Sequence, residues 1–238
     1  MTVPLEWIYL VITVPFAIVW CVLWLYAPQL RREQVRMSIV FAVIGVIAEN
    51  WFYYQDYWNP QSILPVHFGS ALIFPEALMF GGVFGGIASV VYRAVFGIRE
   101  ASRDFGNPLP RLFIAGGIFL FVSYTLFFLG VNSIYAHASG ALALAIYIVF
   151  RRPDLRGASL ASGVLMLSIL FVCYSVVLMT VLNMEQFLAS AWLLYDTPLD
   201  KRIAGIPITE LVWGFSVGAS ISVIRAYVKG IRYTAPML

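Results

Sequence analysis

Charge is scarce in this sequence. Only 11% of its 238 residues are Asp, Glu, Lys or Arg, against about 25% in soluble globular domains. Apolar residues make up 61%, and the mean hydropathy is +0.87. That balance excludes disordered and nucleic-acid-binding chains, and the small excess of positive charge, +3, forms no polybasic tract. Cysteine is nearly absent: Cys21 and Cys173 sit inside apolar runs and are read as packed thiols, too few for a disulfide framework or a metal knuckle. The two histidines, His67 and His137, are far apart and lack ligand spacing, so no metal is expected. Lysine occurs only as Lys201 and Lys229, neither in the middle of an apolar run, which removes a retinal Schiff base. No Gly-rich strand–turn–helix unit for FAD or NAD is present, and no aspartate-rich run for magnesium diphosphate. The expected cofactor list is therefore empty.

What remains is long apolar runs. About 20 mostly apolar residues cross a bilayer as a helix, and seven such windows occur, at 5–27, 37–57, 71–92, 112–130, 132–150, 158–182 and 206–228. The basic flank of the first run (Arg31, Arg32, Arg36) follows it, which marks a membrane span with its N-terminus outside rather than a signal peptide. In that orientation 13 of the 15 basic residues fall on the inner side and only Lys201 and Arg202 outside, a strong positive-inside bias. Eight of the 12 acids lie in the outer half: Glu6, Glu49, Asp56, Glu76, Glu185, Asp196, Asp200 and Glu210. Acids do not normally set topology, so this clustering asks for a chemical reason. The expected location is the cell membrane, multi-pass, with the C-terminus cytoplasmic.

The third and seventh windows resemble each other. Placing Pro75 on Pro207 pairs Gly82 with Gly214, Gly86 with Gly218 and Arg93 with Arg225, while a shift of two residues pairs Glu76 with Glu210. Upstream, Glu49, Trp51 and Asp56 match Glu185, Trp192 and Asp196. The fold expected is an all-α polytopic membrane bundle of seven transmembrane helices. Two parallel three-helix repeats (1–110 and 131–238) would be joined by a linking helix (111–130), with the site at the repeat interface. Small-xxx-small spacing at Gly81/Gly85, Gly82/Gly86 and Gly214/Gly218 is read as close helix packing.

Charged groups inside hydrocarbon are costly and mark sites. Glu49 lies within the second window, Glu76 opens the third and Glu210 opens the seventh. On an α-helix Glu49, Tyr53, Asp56 and Tyr57 would share one face. Clustered acids in an apolar pocket suit proton donation and removal, and aromatic faces stabilise cations. The catalytic candidates are Glu210, Glu76, Glu49 and Asp56, and the substrate-binding candidates are Trp51, Tyr53, Tyr57, Trp58 and Trp213. Glu76, set among apolar neighbours, is expected to be protonated more readily than Glu210, whose charge Lys201 and Arg202 would tune. The competing reading makes Glu76 and Glu210 helix caps and the aromatics an interfacial belt.

GIPITELVWGF at 205–215, IFPEALMF at 73–80 and ENWFYYQDYW at 49–58 resemble the membrane-integral lycopene cyclase family, the heterodimeric or fused carotenoid cyclases. In that family each domain has three helices, the last beginning with Pro-x-Glu-Glu, and fused members carry one joining helix. Here Pro207 and Glu210 match the motif, with Thr209 at its first glutamate, and Glu76 matches its second glutamate. The resemblance implies redox-neutral, proton-initiated cyclisation of a linear carotenoid or related polyene, as in lycopene beta-cyclases: an intramolecular lyase or isomerase. The expected partners are a hydrophobic polyene or lipid substrate and membrane lipids, with no nucleic acid and room for a homo-oligomer. The other reading is a transporter or an isoprenoid-binding protein whose acids couple to protons or cations.

Overall fold

The computed structural model describes residues 2–69, 71–103 and 106–234. Among the described residues, seven helices are long and apolar enough to cross a membrane: Leu5–Tyr26, Pro28–Tyr53, Pro75–Phe96, Pro108–Phe128, Ser133–Arg151, Pro153–Thr180 and Ile208–Lys229. Each coincides with one hydropathy window to within a few residues, except that the second and sixth begin earlier. There a proline-led single turn (Pro28–Leu30, Pro153–Leu155) runs straight into the helix, because proline's fixed φ suits a first turn whose N–H groups have no partner. The chain is an all-α polytopic membrane protein, and its fold class is as expected.

The helices are α1 (Leu5–Tyr26), α2 (Arg31–Ala48), α3 (Tyr54–Asp56), α4 (Pro75–Phe96), α5 (Pro108–Phe128), α6 (Ser133–Arg151), α7 (Arg156–Thr180), α8 (Met184–Ala191) and α9 (Ile208–Lys229). Short antiparallel strand pairs accompany them: β1 (Val66–Phe68) with β2 (Ala71–Ile73), β3 (Arg99–Arg103) with β6 (Ile231–Thr234), and β4 (Arg202–Ile203) with β5 (Ile206–Pro207). Asn107 and Asn132 start α5 and α6 by accepting the N–H groups of Leu109 (3.0 Å) and Ile134 (3.3 Å), which gives otherwise orphaned helix donors a partner.

The chain divides into two compact units whose boundaries fall inside α4, α7 and α9. The first comprises residues 1–87 and 169–211. Its core is aromatic: Phe16 is wholly buried, with ring centroids of Phe80, Phe84 and Tyr174 at 5.4, 6.0 and 6.0 Å. α1 and α2 are tied by polar bonds from Trp20 Nε1 to Ser38 Oγ (2.9 Å) and from Gln34 Nε2 to the Trp20 carbonyl (2.8 Å). Glycines let α2 and α4 touch at the backbone. A Cβ on Gly81 would lie 2.7 Å from the Phe41 carbonyl oxygen and 3.4 Å from the Gly45 Cα.

The second unit comprises residues 88–168 and 212–238. α6, α7 and α9 pack through Leu144, Ile148, Leu155, Ala158, Val223 and Ala226. α7 and α9 also approach closely: a Cβ on Gly218 would meet the Ser162 carbonyl oxygen at 2.7 Å, and Ser159 Oγ donates to the Ala219 carbonyl at 2.8 Å. Gly97 and Gly230, both with positive φ, turn α4 and α9 into β3 and β6. Glu100 on β3 there accepts hydrogen bonds from Arg93 (3.0 Å) and Arg225. α5 is buried over only 11% of its apolar window. Its Phe113 and Phe128, 74% and 80% exposed, are apolar surface that a bilayer, not water, accommodates.

Gly81→Val is expected to lower the melting temperature in detergent, because overpacking against a backbone carbonyl costs about 1–3 kcal/mol. A Cβ on Gly117 meets nothing within 4 Å, so Gly117→Ala in the same assay is expected to leave stability unchanged or slightly raised.

Candidate active site

The second span widens as it ends. Residues Glu49–Tyr53 form a π-helical segment in which Tyr54 N–H bonds to the Glu49 carbonyl, five residues back. Trp58 N–H repeats the pattern by bonding to the Tyr53 carbonyl at 2.9 Å. Such wide turns are frequent at functional sites, and here they change which side chains share a face. Residues nine apart in an α-helix are about two and a half turns apart and point oppositely. Across two wide turns they come into line, and Trp58 Nε1 donates to Glu49 Oε1 at 2.7 Å.

This corrects the face expected from α-helical spacing. Tyr57 leaves Glu49 and donates its hydroxyl to Glu210 Oε1. Tyr53 packs edge-on against Tyr57, with centroids 5.8 Å apart. Asp56 is half-buried and is not among the described hydrogen-bond partners of the three glutamates. Trp51 is 63% exposed, on the surface of its helix. Trp213 is half-buried and belongs to the second unit, whereas the glutamates belong to the first.

Glu49, Glu76 and Glu210 are brought together. Glu49 lies within Coulombic range of both others, and the Tyr9 phenol is within range of all three. Glu49 and Glu76 are 4% and 3% exposed. Glu76 sits at the start of α4, after the β1–β2 hairpin, and accepts Ser62 Oγ (2.8 Å) and Ile63 N–H (2.9 Å). Glu210 sits at the start of α9, after the β4–β5 hairpin, and accepts the Tyr57 hydroxyl and, at 3.1 Å, the Tyr174 hydroxyl. Burial and then the adjacent Glu210 push the Tyr57 phenol well above its ordinary value, so Tyr57 is a donor throughout the neutral pH range. The faces of Tyr9 and Trp58 meet edge-on at 4.6 Å beside Glu49.

Three members of this site have no counterpart in the expected set: Tyr9, Tyr174 and Trp192. Tyr9 and Tyr174 are lone phenols inside apolar runs, and that isolation is their sequence signal. Trp192 is separated from Trp58 by the same interval that separates Glu210 from Glu76. The main chains at Trp58 and Trp192 pair in an antiparallel bridge in which Asn59 N–H bonds to the Ala191 carbonyl (2.6 Å) and Leu193 N–H to the Tyr57 carbonyl (2.9 Å).

Arg202 does not tune Glu210. Its guanidinium binds Asp200 (2.7 Å) and Glu185 (2.8 Å) and lies over the rings of Trp192 and Tyr195. The Arg202 guanidinium in turn holds the Asp200 carboxyl below its usual range. Among the described residues no group of three or more His, Cys, Asp or Glu side chains is arranged to hold a metal ion.

The fold and site thus define an integral-membrane helical protein with two buried glutamates, Glu49 and Glu76, and a half-buried third, Glu210, among phenols and indoles. Residues 132–228, from α6 to the last turn of α9, match the family model described as lycopene cyclase. That segment is similar to the lycopene cyclase family. No curated protein and no solved structure matches it. The matched segment holds Tyr174, Trp192, Pro207 and Glu210, while Glu49, Tyr57, Trp58 and Glu76 lie outside it.

Trp58→Phe keeps a ring against Tyr9 but strips Glu49 of its indole donor. Leaving a buried acceptor unsatisfied costs about 1–3 kcal/mol, so the melting temperature in detergent is expected to fall. If Glu49→Gln is then added, a second loss of equal size would show that the indole and the carboxyl act independently.

Proposed function

We propose that this protein cyclises the end of a linear carotenoid or a related polyene. The observation that carries the reading is the cluster itself: Glu49 within Coulombic range of both Glu76 and Glu210, beside aromatic rings, in a membrane protein whose residues 132–228 match the lycopene cyclase model. Glu49 is the proton donor. It is deeply buried and has a single described hydrogen-bond donor, Trp58, so its surroundings do least to hold a negative charge. Glu210, with two phenol donors, is built to carry one.

Glu49 protonates a terminal double bond, and the positive charge develops at the substituted carbon. A neighbouring double bond attacks that carbon and closes the ring. The cation then loses a proton to the Glu210 carboxylate, leaving a ring double bond. One proton enters and one leaves, so no redox equivalent is consumed. The Tyr9 and Trp58 rings stabilise the passing cation, and Glu76 holds the Ser62–Ile63 segment in place beside the site. The cavity at Glu210 has a volume of about 30 Å³, so the polyene end enters as Phe187 and Leu188 of α8 turn aside. A C40 polyene is about as long as the hydrocarbon is thick, about 30 Å, and lies along the bundle with the reacting end at the glutamates.

Two features of the chain support a duplicated origin. The family match spans one set of three long helices plus α8, and corresponding residues meet in pairs: Trp58 with Trp192 and strand β3 with β6. The positive-inside bias supports an N-terminus outside, which puts the glutamates in the outer half. With the native cysteines replaced, Leu199→Cys is then expected to react with an impermeant maleimide applied to whole cells, and Arg151→Cys only after lysis.

Expressed in lycopene-producing cells, the chain is expected to yield cyclic carotenoids by chromatography. Glu49→Gln and Glu210→Gln are each expected to lower the rate about 100-fold or more while leaving expression and melting temperature nearly unchanged. Unaltered lycopene beside well-folded wild-type protein would overturn the cyclase reading, and full activity in both variants would overturn the acid–base assignment.

A further inference from the structure

Charge is divided unevenly between the two units. The second, residues 88–168 and 212–238, carries ten basic residues against three acids. All of them lie at 93–111, 151–156 and 225–232, where α4, α6 and α9 end and α5 and α7 begin. The β3–β6 ladder and a hydrogen bond from Arg152 to the Ile231 carbonyl (2.8 Å) hold these helix ends together. Glu100 is engaged by Arg93 and Arg225, and Asp154 by Arg152 at 2.7 Å; Asp104 lies outside the described residues. Like charges gathered at one end repel, and an anion placed among them relieves that repulsion.

One place at this end suits an oxyanion. Ala115 of α5, Tyr147 of α6 and Tyr227 of α9 pack in one apolar cluster. Arg111 stands one helical turn before Ala115, and Arg151 one turn after Tyr147, so each shares a helix face with a member of that cluster. Both guanidinium groups lie within Coulombic range of the Tyr227 phenol. The phenol oxygens of Tyr147 and Tyr227 are 3.1 Å apart. One hydrogen bond joins them, so one of the two O–H groups is left to donate elsewhere, and no acceptor for it lies among the described residues. Two guanidinium forks and a hydroxyl match the oxygens of a phosphate. On α6 the exposed Ile146 and Phe150 form a stripe beside the one that carries Tyr147 and Arg151. An apolar stripe that ends at a cation matches a phospholipid, with acyl chains below and a charged headgroup above.

We propose that Arg111, Arg151 and the Tyr147–Tyr227 pair bind the headgroup phosphate of an anionic phospholipid, whose acyl chains lie over Ile146 and Phe150. The phosphate accepts from both guanidinium groups and from the spare phenol O–H. It joins α5 to α6 at this end, and α5 is otherwise weakly held, with only 11% of its apolar window buried. A free phosphate would meet the same polar groups but leave the apolar stripe uncovered, so the lipid is the better fit. The site is independent of the cyclase reading.

The test is the melting temperature of the purified full chain, stripped of lipid in an uncharged detergent. Phosphatidylglycerol is expected to raise it by about 5 °C, whereas phosphatidylcholine and inorganic phosphate leave it unchanged. Arg151→Gln alters an exposed side chain, so it folds, and it should lose most of the shift. Arg111→Gln should do the same, and Tyr147→Phe combined with Tyr227→Phe should reduce the shift by removing the hydroxyl donor. Arg156→Gln combined with Lys229→Gln takes two charges from the same end but outside the site, and should keep the shift. A shift kept in full by Arg151→Gln, or lost equally in the Arg156–Lys229 control, would overturn the proposal. An equal rise with phosphatidylcholine or with inorganic phosphate would overturn it as well.

Discussion

A carboxyl group placed among apolar side chains must be met by hydrogen-bond donors, and everything around the three glutamates follows from that requirement. Each is met differently. An indole reaches Glu49 because the helix widens beneath it. A serine hydroxyl and a main-chain N–H from the segment before β1 reach Glu76. Two phenols from separate helical regions converge on Glu210. The donors are drawn from distant parts of the chain, so the cluster forms only as the first unit packs. In return, the differences among the donors separate three chemically identical side chains into distinct roles.

The likeness between the two halves lies in the scaffold and the difference lies in the site. A short hairpin precedes both α4 and α9, a glutamate opens each helix, and a left-handed glycine ends each and leads into a strand. Glycines bring α2 against α4 in one case and α7 against α9 in the other. These are constraints of helix packing, where a Cβ would strike a neighbouring carbonyl, and both halves keep them. The partners of the acids are not kept. At the interval that separates Glu49 from Trp58, Trp192 has no carboxyl. Asn183 stands at the matching interval and instead ties α8 to the N-terminal segment, accepting Val3 N–H at 3.1 Å and donating to its carbonyl at 2.7 Å. One indole therefore serves a carboxyl and the other does not.

The sequence by itself determined the number of spans and their places, because insertion into a bilayer depends on hydropathy summed over about 20 neighbouring residues, a local property. It also singled out Glu49, Glu76 and Glu210, since an acid inside an apolar run stands out without any knowledge of its neighbours, and Tyr57 and Trp58 as aromatic company. Only the tertiary structure decided which donor meets which acid. The wide turn at Glu49–Tyr53 has no periodic signature, yet it swings Trp58 under Glu49 and turns Trp51 to the surface. Tyr9, Tyr174 and Trp192 are far from the glutamates along the chain and join them through packing alone. Arg202, close to Glu210 in sequence, is drawn instead to Asp200 and Glu185, because side-chain pairing follows distance in space and not position in the chain.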